Sequence, residues 1–117
     1  MKRIFVVLLA ALVLAGCGGV PAQDASGYQQ ISQEEAKARM DAGQGVVLDV
    51  REQSEYDSGH IPGAVLLPVG SITEDTAAAV IPSKETEVLV YCRSGNRSKT
   101  ASAALAALGY TRVYEFG

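Results

Sequence analysis

Two short runs constrain this chain more than anything else in it: Val46-Val47-Leu48-Asp49-Val50 and Glu87-Val88-Leu89-Val90-Tyr91. Both are nearly continuous in apolar residues and do not alternate. Such runs mark strands buried on both faces, as a parallel sheet requires. Helix signals surround them. Ser32 and Glu35 have capping-box spacing, so a helix is expected over 34–42, with Gly43 as its stop. A helical turn is expected over 54–58, and a short strand over 64–67 ended by Pro68. A helix is expected over 72–80, stopped before Pro82, and an Ala-rich one over 98–108, followed by Gly109. Residues 28–31 and 112–116 read as the first and last strands. This alternation predicts an α/β domain with a mostly parallel sheet, helices on both faces and right-handed crossovers. Ligands of such open sheets bind beyond the carboxyl ends of the strands. Asp49 and Arg51 stand at one such end, and Cys92 at the other.

The segment Cys92-Arg93-Ser94-Gly95-Asn96-Arg97-Ser98 joins the second buried run to the Ala-rich helix. Gly95 and Asn96 tolerate positive φ, so the backbone can curl. Successive N–H groups in a curl form an anion nest. The helix that follows adds its positive end, and Arg93 and Arg97 add two full charges. Each effect favours thiolate over thiol, and comparable surroundings lower cysteine pKa values to roughly 3.5–7.5. A nucleophilic cysteine acting on an anionic substrate is therefore expected. The plain alternative, an inert buried cysteine, gives no reason for two arginines, two serines and an asparagine within six residues.

The chain has two cysteines and one histidine, too few for a disulfide framework or a Cys/His-only zinc site. Cys17 has its own setting. Lys2 and Arg3 precede twelve uninterrupted apolar residues, Ile4 to Ala15. As a helix that run spans roughly 18 Å, at about 1.5 Å per residue, short of a bilayer core. A basic start, a short apolar stretch and small residues describe an export signal. Its end, Leu14-Ala15-Gly16-Cys17, resembles the lipobox of bacterial lipoproteins. The resemblance implies cleavage after Gly16 and a diacylglyceryl thioether on Cys17. Residues 1–16 are then a signal peptide, 17–26 a lipidated Gly/Ala/Pro/Gln/Ser-rich tether, and 27–117 the folded domain. The expected location is extracytoplasmic, lipid-anchored to a bacterial cell membrane. Without Lys2 and Arg3 the chain keeps eight basic against thirteen acidic side chains, a net of −5. A chain this acidic, with no basic run, excludes general nucleic-acid binding.

Cys92-Arg-Ser-Gly-Asn-Arg97 resembles the active-site loop of the rhodaneses, sulfurtransferases with a C-x-x-G-x-R pattern. A second block, Asp49-Val50-Arg51-Glu52, Glu55-Tyr56 and Gly59-His60-Ile61-Pro62-Gly63-Ala64, is similar to another stretch of the same family. Leu108-Gly109-Tyr110 and Val113-Tyr114 fit its usual ending. The resemblance covers about 28–117 and implies a rhodanese-like fold, a five-stranded parallel sheet flanked by helices. Family members usually continue with Gly-Gly-Ile/Val and a short helix. This chain stops at Phe116-Gly117, so a fragment with part of its core exposed is expected.

The resemblance implies a sulfurtransferase in which Cys92 takes a sulfane sulfur from thiosulfate or a persulfide and passes it to a thiol or cyanide. The loop N–H groups, from about Arg93 through Ser94, Gly95, Asn96 and Arg97 to Ser98, would hold the terminal sulfur. Arg97 would support the loop and its charge, and Arg93, nearer solvent, would attract the donor. Asp49 is expected to pair with a basic group or accept loop N–H bonds. Arg51 is expected to line the rim or pair with Glu55. His60 invites a Cys–His dyad, although its turn-like Gly-His-Ile-Pro-Gly setting suits a ring held by backbone. No metal or organic cofactor is implied. The expected partners are a small sulfur-donor anion, a thiol acceptor and the membrane.

Other readings are a non-catalytic binding module and a sulfide- or redox-sensing lipoprotein. A cysteine phosphatase or arsenate reductase fits less well. Those enzymes use C-x5-R, whereas Cys92 to Arg97 is C-x4-R, and Tyr91 precedes the cysteine. Replacing the lipobox cysteine, Cys17→Ala, should move the protein from the membrane to the soluble fraction, as read by cell fractionation and blotting. Unchanged fractionation would refute the anchor.

Overall fold

The computed structural model describes residues 27–43 and 45–117. The expected signal peptide and tether, with Cys17, lie outside the described residues. Five strands form one sheet: β1 (Gln29–Gln30), β2 (Val46–Asp49), β3 (Val65–Leu66), β4 (Val88–Tyr91) and β5 (Val113–Glu115). All neighbours pair parallel, in the order β1-β5-β4-β2-β3. The α-helices are α1 (Gln33–Ala42), α2 (Gln53–Ser58), α3 (Glu74–Val80) and α4 (Asn96–Ala107), with a 3-10 turn at Val69–Ser71. Right-handed crossovers on this order place α1 and α2 on one face, α3 and α4 on the other. Among the described residues no helix is long and apolar enough to cross a membrane.

The side chains follow that division. Leu48, Val50, Val88, Val90 and Val113 pack with Ala77 and Ile81 from the end of α3 and with Ala101 and Leu105 of α4. On the opposite face the Arg39 guanidinium of α1 lies over the Tyr114 ring, 4.1 Å from its centre. The Tyr56 hydroxyl of α2 donates to Ala64 O at 2.6 Å. All of β4 is buried, as its composition predicts, whereas Val46 and Val47 at the start of β2 are only half-buried.

Helix ends differ from expectation for local reasons. Ser32 caps α1 by accepting from Glu35 N at 3.0 Å. The Glu35 carboxylate, though, turns to Arg39 at 2.9 Å and does not close a capping box. Gly43 ends α1 in the left-handed region, at φ 72°. Thr73 and Thr76 form a reciprocal box, so α3 starts at Glu74, two residues later than expected, and the 3-10 turn occupies part of the approach. Helix α4 starts two residues earlier, at Asn96, because Gly95 enters it from a left-handed conformation.

Leu105 is fully buried between α4 and the sheet. Leu105→Ala should lower unfolding stability by about 2–5 kcal/mol, the range for a truncated core leucine, as measured by urea denaturation.

Candidate active site

Cys92 follows β4 directly, at the carboxyl end of the most central strand. Its N–H donates to Gly117 O at 2.9 Å, and the carbonyl of Tyr91 accepts from Val50 N at 3.1 Å. The chain then turns at Gly95, φ 94° and ψ −12°. Asn96 is already helical, and no described non-glycine residue has positive φ. The expected left-handed role for Asn96 is thus corrected: one glycine suffices for the turn.

The first turn of α4 has N–H groups without intrahelical partners, and no side chain at the N-cap position takes them. The sulfur of Cys92 does. Its Sγ accepts from Gly95 N at 3.0 Å and from Ser98 N at 3.3 Å. Cys92 is 6% exposed. Burial pushes its thiol up, but hydrogen bonds from Ser98 and from the N–H groups of Gly95 and Ser94 outweigh that and hold it below the ordinary thiol value.

Arg97 and Arg51 are each paired with a carboxylate, whereas Arg93 is exposed. Arg97 is bidentate to Glu55, with Nη1 to Oε1 at 2.7 Å and Nη2 to Oε2 at 3.0 Å. The alternative pairing of Glu55 with Arg51 does not form. Arg51 pairs with Asp49, Nη2 to Oδ2 at 2.7 Å, and also donates to Gly59 O at 2.7 Å. Asp49 is fully buried and accepts the Tyr91 hydroxyl at 2.7 Å. Burial pushes the Asp49 carboxyl up, and the Arg51 guanidinium and the Tyr91 hydroxyl together bring it below the usual value. The Tyr91 oxygen in turn accepts from Ile61 N at 3.1 Å. The Asp49–Arg51 pair therefore ties the 59–61 segment to the strand that carries Cys92. Asp49 thus pairs with a basic group, and its Oδ1 also accepts the backbone N–H of Arg51 at 3.0 Å.

A cavity of about 470 Å³ opens over Cys92, between the apolar walls of Met40, Ile61, Tyr91 and Phe116 and the exposed Arg93 and Ser94. A second, polar hollow of about 430 Å³ is bounded by Arg51, Glu55, Gly59 and Arg93. Arg51 thus lines a rim as well as pairing, and Arg93 stands between the two hollows. His60 is exposed and does not form the dyad. Its ring stacks on Tyr56 with centres 3.7 Å apart, and its Nδ1 meets Tyr56 O at 2.9 Å. Among the described residues, no cluster of three or more His, Cys, Asp or Glu could hold a metal ion.

Sequence reasoning missed one carboxylate, Glu115, and the partner of another, Glu55. Glu55 sits within the second motif block, but its partner Arg97 is 42 residues away, beyond what spacing can show. Besides holding Arg97, Glu55 accepts from Glu52 N at 2.9 Å at the start of α2. Glu115 reads as an ordinary strand polar residue, yet it is 2% exposed and accepts the Ser98 hydroxyl at 2.5 Å.

This geometry has relatives. The Rhodanese-like domain family model matches residues 32–116. The chain belongs to this family. A prokaryotic membrane lipoprotein lipid attachment site matches residues 1–17, which supports membrane anchoring of this rhodanese-like protein. Thiosulfate sulfurtransferase PspE of Escherichia coli is 39% identical over 70 residues, covering 60% of this chain and 66% of the relative. Thiosulfate sulfurtransferase GlpE of Pseudomonas fluorescens is 36% identical over 89 residues, covering 76% and 78%. The structure of the human single-domain sulfurtransferase TSTD1 superposes with a TM-score of 0.64 at 26% identity, covering 74% of this chain and 87% of that one. The chain spans only 48% of a Bacillus subtilis relative that is 35% identical over 92 residues.

The Arg97 guanidinium holds the Glu55 carboxyl at about 2, against an ordinary 4.5. A depressed carboxyl stabilises the fold fully above its unfolded value and loses that contribution as pH falls through its folded one. Glu55→Gln should therefore be less stable than the wild type at neutral pH. The deficit should shrink between pH 4.5 and 2, as measured by urea denaturation at a series of pH values.

Proposed function

We propose that this rhodanese-like protein is a sulfurtransferase in which Cys92 is the catalytic nucleophile. The observation that carries the reading is the pair of N–H groups, from Gly95 and Ser98, converging on Sγ at the floor of a cavity. A thiolate held by dipoles attacks the outer sulfur of thiosulfate. The S–S bond of the donor breaks, and sulfite leaves with its electron pair. Cys92 is then a persulfide, a reversible cysteine state, whose outer sulfur carries the charge that the loop amides favour. An acceptor thiolate attacks that outer sulfur and becomes a persulfide, and Cys92 leaves as thiolate. With cyanide the product is thiocyanate. A covalent intermediate of this kind implies ping-pong kinetics.

The remaining loop residues have supporting roles in this reading. Ser94 adds its amide, and Asn96 starts the helix whose positive end faces the sulfur. Arg93, exposed between the two hollows, draws in the anionic donor. Asp49 and Arg51 brace the 59–61 segment. A thiosulfate or persulfide donor and a thiol acceptor need no metal or organic cofactor. With the lipid on Cys17, the domain would work outside the cytoplasm at a bacterial membrane.

The position of Arg97 argues against the phosphatase reading. A phosphatase loop aims its arginine at the bound oxyanion, whereas both terminal nitrogens of Arg97 are taken by Glu55. Incubation with thiosulfate should add roughly 32 Da, one sulfur atom, to Cys92 alone, as read by peptide mass spectrometry under non-reducing conditions. Thiocyanate formation should be abolished in Cys92→Ser. Absence of the adduct, or full activity of the variant, would overturn the proposal.

A further inference from the structure

Three side-chain carboxylates in this domain are almost wholly enclosed. Asp49 is paired with Arg51, and Glu87 with both Arg39 and Arg112. Glu115 is 2% exposed, and its partners are neutral: Gln30 Nε2 at 3.0 Å, Ser98 Oγ at 2.5 Å and Gly117 N at 3.0 Å. Enclosing a carboxylate without a cation is unfavourable. Here it is placed one residue away from the nucleophile. Ser98, which gives its hydroxyl to Glu115, also gives its N–H to Cys92 Sγ.

A hydroxyl carries one proton. Two acceptors compete for that of Ser98, Glu115 Oε2 at 2.5 Å and Gly95 O at 3.0 Å, while the N–H of the same residue meets the sulfur of Cys92 at 3.3 Å. The carboxylate is the nearest oxygen and the charged one, and charge-assisted bonds are the stronger. We infer that Glu115 is a positioning residue that keeps Cys92 strongly nucleophilic, by holding the Ser98 hydroxyl proton on its own carboxylate, so that only the Ser98 N–H serves the sulfur, and by setting a second negative charge behind it. The loop amides make the thiolate available, and Glu115 limits how far they weaken it. Thiolate nucleophilicity falls as thiol acidity rises, with a slope of about 0.4–0.5. A sulfur that must attack a donor and later leave is best served between the extremes.

The other charged side chains around the loop do not duplicate this role. Arg97 is neutralised by Glu55. Lys99 Nζ approaches Gly95 O at 3.4 Å on the outer side of the turn, and Arg93 is exposed. From β1, the group that meets Glu115 is the neutral Gln30 amide.

The inference rests on Cys92 as the nucleophile, and its test does not require sulfur transfer. The full chain in detergent is alkylated with iodoacetamide across pH, and modification of Cys92 is followed by peptide mass spectrometry. In Glu115→Gln the midpoint should move to lower pH. A displacement of one pH unit at that slope makes the plateau rate about threefold lower and the rate well below the midpoint about threefold higher. In a Ser98→Ala background the same substitution should displace the midpoint less. An unchanged or raised midpoint in folded Glu115→Gln overturns the inference, as does an equal displacement without the Ser98 hydroxyl. Should Glu115→Gln not fold, carbon NMR of carboxyl-labelled wild type gives the reciprocal reading. The Glu115 signal should respond at the Cys92 midpoint and lose that response after alkylation, and a signal indifferent to Cys92 overturns the inference. A thiol that alkylates as expected but forms no persulfide would refute the sulfurtransferase reading and leave this one standing.

Discussion

A sulfur atom does the work that a capping side chain does elsewhere. Helix α4 begins at the end of the most central strand, and its first free N–H groups need an acceptor. The N-cap position is Gly95, which has no side chain to offer. Cys92, three residues back, fills the place with Sγ. The requirement that closes the helix thus also stabilises the thiolate, so folding and ionisation of the cysteine favour each other. The rest of the domain holds the strand end and the helix start at this separation.

The surrounding charges set the field at that sulfur. Two arginines in the loop suggest a strongly positive site, but Arg97 is cancelled by Glu55 and Arg93 lies in solvent, where its charge is screened. What remains close to Sγ is mainly backbone dipole, fixed in direction by the turn at Gly95. Glu55 reaches Arg97 from the N-terminus of α2, and Asp49 and Arg51 bind the loop after α2 to the strand end. The block of residues around 49–64 thereby serves as a brace for the cysteine loop. Its polar groups mostly face one another, and the cavity over Cys92 takes its apolar wall from Met40, Ile61, Tyr91 and Phe116 and its polar wall from Gln33, Arg93 and Ser94.

Much of this could be read from residue order. The nearly continuous apolar runs imply a parallel sheet because burial on both faces leaves no room for alternation, and β4 is enclosed along its whole length. The cysteine between a strand and an Ala-rich helix stood out because its neighbours suit neither element. Element ends were less legible. They depend on which of several capping groups wins, as Thr73 does at α3 and Gly95 at α4.

Residue order alone determined the α/β architecture and the place of Cys92 between a buried strand and a helix, because periodicity and turn chemistry act over a few neighbouring residues. Only the tertiary structure decided which carboxylate meets which arginine. Asp49 and Glu55 were both eligible for Arg51, and the choice fell to the position of α2 relative to α4, elements far apart in the chain. It also decided that Glu115 faces inward. Parallel pairing with Val90 turns this residue toward α4 and Ser98, and strand composition carries no record of that register.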